Sequence, residues 1–141
     1  MSANTLAAPA VPSNILHGTM VVDNDDDEGG TYVVCFSFDY DAGGIRVNFS
    51  IDPSTTEPEQ WTEFVRKARA GESAEVTTCQ CNGDVAISHE RGVITLKTAR
   101  YGAGGDGDLD VGFPIASSID AIDTCARAFA AHEAIPNNNT R

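Results

Sequence analysis

From Thr31 the chain takes a period of two, with Tyr32, Val34, Phe36 and Phe38 alternating with Val33, Cys35, Ser37 and Asp39. A period of two is that of a strand with one face on a core. Ile45, Val47, Phe49 and Ile51 repeat the pattern against Arg46, Asn48 and Ser50, and Asp41-Ala42-Gly43-Gly44 between the two runs is turn chemistry. The two runs predict a strand pair whose aromatic and aliphatic face is buried. Ahead of them, Ile15 to Val22 predicts a short strand resting on Leu16, Val21 and Val22, and Asp23 to Gly30 reads as an acidic loop.

The period then lengthens. Trp61, Phe64, Val65 and Ala68 fall at i, i+3, i+4 and i+7, one stripe of a helix. Thr56 and Glu59 have capping-box spacing, Pro58 sits in the first turn where its missing N–H costs little, and Gly71 closes the helix. Strands follow. Asn82-Gly83 and Arg91-Gly92 predict tight turns, and two-residue loops there put Val85 and Ile87 on one face with Ile94, Leu96, Val76 and Thr78. After a Gly/Asp loop over Gly102 to Asp108, Leu109, Val111, Phe113 and Ile115 alternate as a last strand. A closing helix begins near Ser117, with Asp120 in its first turn and Ile119, Ile122, Cys125, Ala126 and Phe129 as its stripe; Pro136 ends it.

The reading is an α+β fold: an antiparallel meander sheet of about six strands with two helices packed on one face, in the order ββαββββα. Residues 15–135 form one domain between a flexible arm, 1–14, and a flexible tail, 136–141. Four strands followed by a helix resemble the Pur-alpha repeat and the related transcriptional-cofactor and Whirly single-strand binders. That resemblance implies single-stranded nucleic acid held on the sheet face.

Charge argues against it. Asp and Glu number 21 and Lys and Arg nine, a formal charge of −12. Nucleic-acid affinity comes largely from clustered cations that neutralise phosphate, and here the only cluster is Arg66, Lys67 and Arg69. The acidity fits plain solubility, a salt-rich cytoplasm or a basic partner. Met1 to Pro12 has no basic start and is broken by Pro9 and Pro12, so neither a secretory signal nor a membrane segment is expected. The expected location is intracellular, with virion association as one form of it, and Cys35, Cys79, Cys81 and Cys125 are then expected as free thiols.

Candidate chemistry is sparse. Cys79 and Cys81 lie two apart on a strand and share its outer face, but a C-x-C without a second pair is poor zinc spacing. Asp106, Asp108 and Asp110 alternate as a calcium loop begins, yet the sixth position is Val111 and the twelfth Ser117, where that loop needs Gly and Glu. They are weak metal candidates. The acidic block Asp23 to Glu28 reads as loop, His89 as a polar residue beside a turn, and the Gly-rich run from Gly102 precedes a strand and so offers phosphate no helix N-terminus. His17, His89 and His132 show no catalytic spacing. The favoured expectation is a non-enzymatic protein-interaction or assembly module, structural or accessory, of viral or phage type in one version. It takes no cofactor and pairs with a protein partner or with itself through Cys35, Thr77, Cys79, Cys81, Thr95 and Lys97. The alternatives are single-strand binding on the sheet and a divalent-metal enzyme using the three aspartates.

Overall fold

The computed structural model describes residues 15–80, 83–100 and 107–135. The arm and tail, Cys81, Asp106 and most of the Gly/Asp loop lie outside the described residues. β1 (His17–Asn24), β2 (Thr31–Ala42) and β3 (Ile45–Ile51) are followed by a 3-10 turn, Pro53–Thr55, and helix α1 (Pro58–Arg69). β4 (Ala74–Gln80), β5 (Gly83–Glu90), β6 (Val93–Arg100) and β7 (Gly107–Pro114) lead through a second 3-10 turn to α2 (Ile119–Glu133).

The fold is α+β, but the single six-stranded meander gives way to two antiparallel sheets, β1-β2-β3 and β4-β5-β6-β7. Strands adjacent in sequence pair where a short turn joins them. Between β3 and β4 the chain makes a 3-10 turn and a helix, and the two strands are not hydrogen-bonded to each other.

The first strand, expected over 15–22, runs over His17–Asn24 and pairs with β2 along its whole length. The acidic stretch between them is a hydrogen-bonded turn: the Asp25 carboxylate accepts from the Asp27 and Glu28 N–H groups, each at 3.1 Å, and Gly29 and Gly30 take positive φ. A bulge falls between Val21 and Val22, which pair with Cys35 and Val33 and skip Val34. One extra residue reverses the alternation beyond it. Val33 therefore packs on the core and Val34 is exposed, the opposite of the expected order. Gly18 lies so close under α2 that a Cβ there would stand 2.7 Å from the Ala121 carbonyl oxygen.

In the second sheet Val76, Thr78, Val85, Ile87, Ile94 and Leu96 are all buried, as the parity requires. Gln80 pairs with Gly83, so the first connection is 81–82 rather than Asn82-Gly83, a change that preserves every face. Glu90 pairs with Val93 across Arg91 and Gly92, both at positive φ, which makes the second tight turn.

The stripe Trp61, Phe64, Val65, Ala68 of α1 is buried. Its cap stands one residue beyond the expected Thr56: Gln60 accepts from the Glu57 N–H at 2.7 Å. Thr56 is buried instead, donating to the Pro53 carbonyl at 2.6 Å and accepting from the Trp61 indole N–H at 2.8 Å. Gly71 at φ 82 ends the helix, with the Glu72 N–H on the Lys67 carbonyl. α2 buries its expected stripe together with Ala121 and His132. Arg69, at the end of α1, reaches Asp120 at 2.9 Å and Asp123 at 3.4 Å at the start of α2.

Both sheets and both helices close on one core cluster. Phe36 stands edge-on to Trp61 (5.0 Å) and to Phe129 (5.6 Å), while Tyr40 meets Phe113 of the other sheet at 4.9 Å. The core does not extend to every alternating residue. Ile45 is 67% exposed and Leu109 56%, because the β2–β3 turn and the start of β7 run past it. Among the described residues no helix is long and apolar enough to cross a membrane.

Candidate interaction face

The core takes one stripe of each helix and the inner faces of both sheets, which leaves the polar sides of the helices and the outer sheet faces to solvent. On the four-stranded sheet two cross-strand rows dominate. Thr77, Ala86, Lys97 and Asp110 form one, and Cys79, Asp84, Ala99 and Asp108 the next. Small side chains at Ala86 and Ala99 leave a shallow depression of about 300 Å³, rimmed by Asp84, Lys97, Asp108 and Asp110. Three carboxylates face one ammonium there, so the rim carries local negative charge.

The expected face is divided by the split into two sheets. Thr77, Cys79, Thr95 and Lys97 lie together on the four-stranded sheet, whereas Cys35 is on β2 of the other. Cys81 is outside the described residues. Asp108 and Asp110 point the same way from β7 and Asp106 is outside; among the described residues, no group of three or more His, Cys, Asp or Glu could hold a metal ion.

The cysteines differ in chemistry. Cys79 is exposed, and its N–H donates to the Thr55 hydroxyl at 3.2 Å, which ties the edge of β4 to the first 3-10 turn. Cys125 is fully buried, and burial, with the neighbouring Cys35 adding to it, pushes its thiol up to about 12. A thiolate is the reactive form, so Cys125 is inert at neutral pH. On α1 the Arg66 guanidinium hydrogen-bonded to Glu63 holds that carboxyl below its ordinary range.

His89, expected as a polar residue beside a turn, and His132 are both buried. His89 is 2% exposed: one ring nitrogen, Nδ1, lies 2.7 Å from the Glu72 carbonyl, and the other, Nε2, accepts from the Gly92 N–H at 3.1 Å. That geometry requires the proton on Nδ1, and it clasps the α1–β4 link to the β5–β6 turn. The signal was present, since His89 follows Val85 and Ile87 in parity. His132 joins α2 to the start of β2 through the Thr31 hydroxyl at 2.9 Å and also meets Glu133 at 3.0 Å. Both serve as fasteners between elements rather than as neighbours of the depression.

Fold and face together define a two-sheet α+β protein whose helices each bury one stripe and whose four-stranded sheet presents an acidic outer face. The chain belongs to a family of unknown function (DUF5766), whose model matches residues 46–124. That stretch contains β3 from Arg46 on, α1 and the whole four-stranded sheet. No curated protein matches the chain, and no solved structure matches it.

Proposed function

We propose that this protein is a non-catalytic interaction module that engages a protein partner through the outer face of its four-stranded sheet. The observation that carries the reading is the position of both helices on the inner side. The outer rows from β4 to β7 are left to solvent, with a shallow depression among small side chains. Antiparallel sheets tolerate one wet face, and such a face with short side chains lets a partner approach closely. The acidic rim disfavours nucleic acid, whose phosphates it would repel.

The test is light scattering coupled to size exclusion, on the purified chain alone and mixed with host lysate, for the wild type and for Ala86→Arg and Ser50→Arg. The expected result is a defined complex that Ala86→Arg abolishes and Ser50→Arg, on the other sheet, leaves intact. A chain that stays monomeric and retains no partner would overturn the proposal, as would a complex indifferent to Ala86→Arg.

A further inference from the structure

The outer face ends at a strand whose far side pairs with no other strand among the described residues. β7 is the edge of its sheet, hydrogen-bonded to β6 alone among the described strands. Every second residue of an edge strand turns its N–H and C=O away from the sheet, ready to pair with another chain. The opposite edge, β4, is tied down by the Thr55 hydroxyl on the Cys79 N–H. On β7 the tie is at the far end, where the Ser117 and Ser118 hydroxyls donate to the Pro114 carbonyl, away from Asp108 and Asp110.

Side chains along β7 say what kind of strand fits beside it. Leu109 and Val111 point to the inner side, and Leu109 is left 56% exposed where the core stops. Asp108 and Asp110 point to the outer side and border the depression floored by Ala86 and Ala99. A fifth strand laid on this edge would cover Leu109 with its inward residues. Its outward residues would stand beside two carboxylates.

A second copy of this chain is a poor occupant. β7 against β7 brings Asp108 and Asp110 toward their own copies, and like charges on adjacent strands repel; a formal charge of −12 on each chain opposes the encounter as well. The geometry points to a basic, extended segment of a partner protein, with apolar residues alternating with Lys or Arg, added as a strand to β7 with its cationic side chains over Asp108 and Asp110. Asp108 and Asp110 stand one strand spacing from such a segment, about 4.8 Å, so each guanidinium meets a carboxylate directly while the aliphatic stem lies over β7. This rests on the reading of the chain as an interaction module and names both the partner's chemistry and the mode of contact.

The experiment uses the full chain and fluorescence anisotropy with a labelled peptide of four Val-Arg repeats at low salt. Three comparisons accompany it: the same peptide N-methylated at alternate residues, a Val-Glu repeat, and the double variant Asp108→Asn/Asp110→Asn, whose melting temperature is checked against wild type. The inference expects binding by Val-Arg, none by Val-Glu, and at least tenfold weakening both by N-methylation in one of its two phases and by the double variant at unchanged melting temperature. Failure of Val-Arg to bind would overturn it, and so would binding that survives N-methylation in both phases, since that is attraction without strand pairing. If these fail while Ala86→Arg still abolishes a lysate complex, the interaction reading survives and only the β7 mode falls.

Discussion

The two sheets obey the same period of two, yet only one keeps it from end to end. In β4 to β7 every pairing keeps a single register, and each residue of the right parity near the helices is buried, His89 included. In β1 to β3 a bulge at Val21 and Val22 reverses the alternation, and burial fades from Ile51, fully buried, to Ile45, largely exposed. The difference teaches that alternation reports which face a residue joins, whereas burial depends on whether a helix or the other sheet stands opposite it.

The sharpest way to break the comparison is at the seam. Phe36 belongs to the three-stranded sheet but packs on Trp61 and Phe129 of the helices. Phe36→Ala is expected to cost about 3–5 kcal/mol, read by urea denaturation, because it leaves a cavity in the shared core. A loss below about 1 kcal/mol would mean the three-stranded sheet is only loosely joined to the rest.

Alkali probes the same seam without a mutation. The folded Cys125 thiol sits at about 12 against an ordinary value of 9.0, so its proton is held more tightly folded than unfolded. Its contribution to stability is whole below pH 9 and is lost above it as the unfolded thiol ionises, by about 1.4 kcal/mol per pH unit until the folded thiol also ionises. Melting temperature should fall from about pH 9 toward about pH 12, and more gently in Cys125→Ala. Parallel curves for the two proteins would contradict this.

Within the four-stranded sheet, His89→Ala tests whether the regular register needs its clasp. Removing the ring deprives the Glu72 carbonyl and the Gly92 N–H of a partner, at an expected cost of about 2 kcal/mol in thermal melts. Hydrogen exchange at Gly92 should quicken in the same variant. The smallest effect is expected at Ile45, where Ile45→Thr should change stability by no more than about 0.5 kcal/mol despite its place in an alternating run.

Much of this was legible in the chain. The stripes of α1 and α2 and the inner face of the four-stranded sheet follow from spacing alone, because helix and strand periods are local properties. The division into two sheets was not, since it depends on where α1 carries the chain between β3 and β4. Nor was the bulge, which rests on a one-residue difference between β1 and β2 that no composition marks. The candidate face was legible in part: parity set Thr77, Cys79, Thr95 and Lys97 on one side, but Cys35 joined them only under the assumption of one sheet. The depression over Ala86 and Ala99 needed the cross-strand register, which places small residues of β5 and β6 near each other.

The Trp61 indole, buried where helices and sheets converge and hydrogen-bonded to Thr56, is the only tryptophan in the chain. Its fluorescence is therefore a single-site optical gauge of the interior. Emission should be blue-shifted and shielded from acrylamide while the fold holds, and should move to the red only when core packing opens. Because the indole is fully buried, edge-on to Phe36 of the three-stranded sheet, a ligand captured at the β7 edge is expected to leave the emission silent, so the same sample can report occupancy by anisotropy and integrity by colour.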